Sequence, residues 1–195
     1  MPAPNISLSV ASYRYGAPLP PVLSASGSAG LIAWSATSGS FDPVETANGQ
    51  QTAFTPANET QDVVITARDK SDNLQSTTTI EVTGTCPDRG QFESAQIELD
   101  DRTNVSLAED GGPSFLVKGQ PYRLFPYSYP NRTRDQYDEM EAFWLFHRKT
   151  RTFYLEDPVH DNLWRLVRFD SKLSITVHGT DMLTYAATYR EAVPA

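Results

Sequence analysis

The chain has 195 residues, 39% of them hydrophobic, and a formal net charge of −8, with a pI near 4.8. That length allows one large or two small domains, and the acidity argues against non-specific binding of nucleic acid or anionic membrane. No apolar run approaches the ~18 residues of a membrane-spanning helix, the opening MPAPNISLSV lacks the basic and apolar regions of a secretory signal, and the single cysteine, Cys86, excludes an internal disulfide framework and fits a reducing compartment.

Residues 1–84 are sparsely charged, with three Lys/Arg and seven Asp/Glu. Alternating or short apolar runs recur at 6–10, 22–25, 31–36, 51–55, 63–68 and 77–83, separated by turn signals such as Ser38-Gly39-Ser40, Asn48-Gly49 and Lys70-Ser71-Asp72-Asn73. Short strands at this spacing predict a β-sandwich. Trp34 is its expected core plug, and Val63, Ile65 and Ala67 alternate with Val64, Thr66 and Arg68 as one buried and one wet face. TCPDRGQ, residues 85–91, ends the alternation and is the expected linker.

Four stretches in this half carry a family likeness: Leu31-Ile32-Ala33-Trp34-Ser35, Gly39-Ser40-Phe41, Thr52-Ala53-Phe54-Thr55-Pro56 and Val63-Val64-Ile65-Thr66-Ala67-Arg68-Asp69. On them the segment resembles bacterial immunoglobulin-like domains. The resemblance implies a spacer, adhesive module or decoration, with a cell-surface glycan as a possible ligand, and no chemistry.

Residues 85–195 carry thirteen Lys/Arg and seventeen Asp/Glu, a mixed surface suited to polar contacts. Hairpins are expected around Asp100-Asp101-Arg102 and around Lys118-Gly119-Gln120-Pro121, with Glu109–Pro113 as a loop. A Pro/Tyr ribbon from Phe125 to Pro130 leads into a helix over 134–148. Thr133 and Gln136 form a capping box, acids crowd the first turns and Arg148, Lys149 and Arg151 close the end. Tyr137, Met140, Trp144 and His147 share one face at helical period, and 142–146 is apolar nearly all round. Strands are expected at 152–156, 163–169, 173–177 and 183–190. The whole is mainly β: a sandwich, then an antiparallel domain with one inserted helix.

Four stretches of this half carry a second likeness: Ala142-Phe143-Trp144-Leu145-Phe146-His147-Arg148, Phe153-Tyr154-Leu155-Glu156-Asp157-Pro158, Trp164-Arg165-Leu166-Val167-Arg168-Phe169 and the closing strand near Arg190-Glu191-Ala192-Val193. On them this half resembles the minor tail proteins of long-tailed bacteriophages. The family's helix-to-strand turn usually holds a glycine, and Lys149-Thr150-Arg151 holds none. The resemblance implies a structural component of a phage tail, assembled in the host cytoplasm into the virion. Its partners would be other tail proteins and further copies in a ring, with the first domain displayed outward. The alternative is an adhesion or carbohydrate-binding module. Phe125, Tyr127, Tyr129, Phe143 and Phe146 are the expected interface residues, because a helix apolar on all sides needs more cover than one sheet supplies. Trp34, Trp144 and Trp164 are expected in the cores.

No catalytic, metal or cofactor site is expected. His147, His160 and His178 lack a second histidine or cysteine at ligand spacing. His160-Asp161 has no accompanying nucleophile motif. Asp100-Asp101 and Glu109-Asp110 fit solvated turns, and Asp69, Asp72 and Asn73 lack a calcium-loop pattern. Tyr122, Tyr127 and Tyr129 with Arg123 and Arg132 fit a protein contact better than a stacking surface for bases or sugars.

Overall fold

The computed structural model describes residues 3–88, 98–100, 103–107, 113–117, 122–157, 163–179 and 181–192. It is mainly β with one helix, and it divides into two compact units, Met1–Thr85 and Cys86–Ala195.

The first unit holds β1 (Asn5–Leu8), β2 (Ser12–Arg14), β3 (Val22–Ser26), β4 (Ile32–Ala36), β5 (Ser40–Asp42), β6 (Glu45–Thr46), β7 (Gln51–Thr55), β8 (Gln61–Asp69) and β9 (Gln75–Thr83). They form two sheets, ordered β1-β3-β7-β5 and β2-β9-β8-β4-β6. All described pairings are antiparallel except β2 with β9, which is parallel. The core between the sheets follows the pleat: Leu23 and Ala25, Ile32 and Trp34, and Val63, Ile65 and Ala67 point inward at period two. The short strands β2, β5 and β6 carry too few residues to show a period.

Trp34 packs near Phe41, which lies against Phe54, and its indole N–H donates to Thr46 Oγ1 at 2.9 Å. Gly39, at φ +92, lies under that cluster. A Cβ there would stand 2.6 Å from the Thr55 carbonyl oxygen and 2.8 Å from the Phe54 ring, so both its backbone angle and its lack of a side chain are required.

The second unit holds β10 (Glu98–Asp100), β11 (Thr103–Leu107), β12 (Pro113–Val117), β13 (Tyr122–Arg132), α1 (Arg134–His147), β14 (Phe153–Asp157), β15 (Leu163–Phe169), β16 (Ser174–His178) and β17 (Met182–Glu191). The main sheet runs β10-β13-β17-β15-β14, with β16 also paired to β17. β17 is its spine. One edge pairs with β13; the other pairs with β16 over Met182–Ala186 and with β15 over Tyr189–Glu191. Between those pairings, Asp170 and Ser171 N–H both donate to Thr188 O, and Thr188 N–H donates to Ser171 Oγ.

Both hairpins expected in this region are corrected. β10 pairs with β13 rather than β11, and β11 pairs with β12 in a separate two-stranded sheet. The ribbon Phe125–Pro130 is part of the long strand β13. The linker expectation is corrected for its described residues: Thr85 is bonded to Asn58 and Tyr15, and Cys86 is buried in the core of the second unit. Residues 89–91 lie outside the described residues.

Because the sandwich core is complete within the first unit, residues 1–85 are expected to fold alone and melt cooperatively, as followed by circular dichroism. Trp34→Ala in that fragment should cost about 3–5 kcal/mol. A disordered amide spectrum of the parent fragment would contradict this.

Candidate functional site

The helix begins as expected. Thr133 N–H donates to Gln136 Oε1 at 3.0 Å, and Gln136 N–H reaches Thr133 Oγ1 at 3.4 Å, closing the capping box. The face laid on the sheet is Tyr137, Met140, Phe143 and His147. Trp144, expected on that face, stands at its shoulder, half-buried, with its indole N–H toward Ser171 O at 3.4 Å. At the other end Arg148 takes φ +44, the backbone role that a glycine fills more cheaply.

The expected interface is largely a core. Along β13, Phe125, Tyr127 and Tyr129 alternate inward and are buried, as is Phe143 on the helix. A strand side chain points to one face only, so the ribbon's aromatics face α1 and the buried side of the sheet. Phe143 meets Phe153 edge-on at 5.0 Å and Phe169 at 6.2 Å. Phe146 alone of the five stays half-buried at the flank, with the Arg151 guanidinium 4.0 Å over its ring. Of the expected core tryptophans, Trp34 is buried, and Trp144 and Trp164 are half-buried.

The centre of this unit is a buried polar network that the sequence did not announce. Tyr129 stacks on Tyr185 at 4.7 Å, and its hydroxyl lies 2.5 Å from that of Tyr189. The Cys86 thiol lies 3.8 Å from the Tyr189 hydroxyl. Asp88 accepts from Arg132 Nε at 2.6 Å and Arg132 Nη2 at 3.0 Å, and also from the Tyr185 hydroxyl. Burial pushes the Cys86 thiol up to about 12 and carries the Tyr129 and Tyr189 hydroxyls well above their ordinary range. A thiol so held is protonated at neutral pH and is no nucleophile. Arg165 makes a second link, with Asp157 at 2.5 Å and Glu191 at 3.3 Å. These are fastenings; their groups are spent on one another. Only the Tyr185/Tyr189 alternation in β17 hinted at them, and Asp88 lay in the expected linker.

The remaining candidates are placed as follows. His147 is fully buried on the helix, its Nδ1 3.0 Å from Phe143 O, so that nitrogen carries the proton of a neutral ring; burial lowers its pKa to about 4. His178 is exposed at the end of β16. His160, Asp161, Asp101, Glu109 and Asp110 lie outside the described residues. In the first unit, Asp69 accepts from Ser28 Oγ at 2.5 Å, Ala29 N–H at 3.2 Å, and Ser71 N–H and Oγ at 2.8 and 2.7 Å. Those bonds, the Ser28 hydroxyl first, hold its carboxyl far below the usual range. Among the described residues no group of three or more His, Cys, Asp or Glu gathers as a metal site.

Two surface features remain in the second unit. A groove of about 490 Å³ lies over the outer face of β13 and β17, beside Ser171, Lys172 and Ser174, floored by the small side chains of Ser128 and Ala186. β16 is exposed along its whole length, with Ile175 and Val177 at 42% and 63%. Compared with known proteins, the chain matches no family model and no curated relative.

Three outcomes are expected. Asp88→Ala strands Arg132 and Tyr185 and should destabilise the second unit by about 3–5 kcal/mol in denaturant melts. Arg148→Gly should raise stability by up to about 1 kcal/mol by relieving the positive φ, less the Arg148 Nε bond to Leu145 O. The third is an order of acid unfolding. The unfolded chain binds a proton at His147 near pH 6.5, whereas the folded chain binds it only near 4. Its contribution is full above about pH 6.5 and lost as pH falls through 4, at most about 1.4 kcal/mol per unit. The contribution of Asp69 is full above about pH 4 and lost only below it. Lowering pH from 7 to 4.5 should therefore weaken the second unit first, and His147→Leu should flatten that slope in thermal melts.

Proposed function

We propose that the chain is a structural component of a bacteriophage tail, a minor tail or tail-tip protein. It assembles through its second unit with other tail proteins and further copies of itself, and carries its first unit as an immunoglobulin-like display domain. The supporting observation is the contact of Phe143 with Phe153 and Phe169. These residues come from three of the four stretches on which the tail-protein resemblance rests. That they meet in one core accounts for why such a helix, strand and strand would recur together. The first unit supports the reading in the same way: Trp34, Phe41 and Phe54, from three of its four matching stretches, pack as one cluster. The chemistry of assembly needs a rigid body with apolar and polar contact points. The exposed Leu145, Leu163, Ile175 and Val177 provide the former, and the mixed charges of residues 92–195 provide the latter.

The test is co-purification. In lysates of the phage that encodes it, the chain should band with intact tails, and its deletion should stop tail completion. Tails of normal length and infectivity without the chain would reject this reading. Glycan binding by residues 1–85 alone would instead favour the adhesion module.

A further inference from the structure

We propose that the outward side of α1 docks on the outer face of the main sheet of a second copy of this chain, front to back, so that each copy can hold two others. The proposal rests on the assembly reading and names one contact of that assembly. α1 covers one face of the sheet, with Tyr137 on Tyr185 and Phe143 on Phe153 and Phe169. Arg168 and Arg190 alternate with the buried Val167, Phe169 and Tyr189, so they stand on the opposite face. They are also direct partners across the β15–β17 ladder, and like charges so placed repel. Arg190 relieves part of this by turning to Asp170 and to the Tyr122 ring, yet its buried Nε donates to nothing. Among the described residues Arg168 has neither an ion pair nor a hydrogen bond.

The occupant follows from charge and spacing. The exposed side of α1 carries Asp135 and Glu139, four residues apart. They are again a repelling pair, and again without an ion pair among the described residues. Asp138 beside them is tied only to Arg134. The helix thus presents three acids against one cation, and the sheet presents Arg168, Arg190 and Lys172 against Asp170. Each surface carries the charge that the other lacks. Leu145, half exposed, lies ~9–15 Å of helix rise from those three acids. Ala186, on the floor of the outer groove, lies ~13 Å along β17 from Arg190. Laid along β17 with Leu145 in the groove, the helix therefore brings its acids over Arg190 and Arg168. Two different surfaces meet, so the contact repeats, closing into a ring or running on as a filament.

The experiment uses the full chain. In light scattering its mass should rise past that of a dimer at about 100 µM, since a contact of one helix with one sheet face is small, and added salt should lower it. Glu139→Arg and Arg168→Glu should each raise the concentration needed at least about tenfold. An equimolar mixture of the two, or one chain carrying both, should regain assembly, because the reversed pair attracts. If Arg168→Glu fails to fold, cysteines decide. Under mild oxidation a chain with both Leu145→Cys and Ser128→Cys should give disulfide-linked ladders beyond the dimer, whereas either change alone should give little. The buried Cys86 does not compete. A monomer at every concentration, a mass that stops at two, indifference to either charge reversal, or cross-linking of Leu145→Cys alone as readily as of the pair would overturn the proposal. Tails that take up both charge-reversal variants normally would sink this contact and leave the tail reading standing; the described assembly in a chain missing from tails would do the reverse.

Discussion

The second unit depends on one arrangement, the stacking of Tyr129 on Tyr185 across the β13–β17 ladder. Both rings are fully buried, and both hydroxyls are committed, one to Tyr189 and one to Asp88. A buried phenol without a partner is costly, so these tyrosines define where everything else sits. The Tyr129 hydroxyl brings Tyr189, which brings the Cys86 thiol. The Tyr185 hydroxyl brings Asp88, and Asp88 brings Arg132, the residue before the helix cap. The helix then covers the rings, with Tyr137 edge-on to Tyr185 at 5.9 Å. The network thus fixes the entry of the chain into the unit and the start of α1 at once. A purely aliphatic core of equal area would hold neither in register, because dispersion has no direction.

The sandwich solves the same problem with a carboxylate. Asp69 ends β8 and ties the Ser28–Gly30 loop to the Ser71 turn. Gly30 completes the closure. A Cβ on it would stand 2.9 Å from Asp69 Oδ1 and 3.0 Å from Ser71 Cβ. Two loops distant in sequence are therefore held by an anion that gives up water for four donors, a trade that works because each bond to a charged acceptor is stronger than its neutral counterpart.

Sequence patterns were legible where local chemistry decides the outcome. The capping box, the helix span and the Val63/Ile65/Ala67 alternation each need only a few neighbouring residues. They failed where pairing is long-range or where two residue types compete. Phe143 and Trp144 straddle the buried face at 100° per residue, and both are apolar; the slot between Phe153 and Phe169 takes the smaller ring, while the indole N–H needs an acceptor and finds Ser171 at the margin. The ribbon was legible as aromatic and misleading as loop, because of its prolines. Pro126 is tolerated since β10 pairs only with Tyr122–Leu124 and, among the described residues, leaves the next part of that edge open. Pro130 falls at the register shift between Tyr129 and Arg132. Asp88 was illegible: nothing within reach in sequence shows that its partners are Arg132 and Tyr185.

The position of β17 as spine has a consequence for how the protein is made. Its three neighbours, β13, β15 and β16, all precede it. Each is left with an open edge, and β13 with its aromatic row short of cover, until the strand that joins them emerges. On the ribosome the sandwich has everything it needs once Thr85 is clear, whereas the second unit stays an assortment of unjoined hairpins until Glu191 follows. For that interval Phe125, Tyr127 and Tyr129 are on offer to any passing strand. The window closes only when the last strand slots between its neighbours, so chaperone demand and misassembly should concentrate late in synthesis.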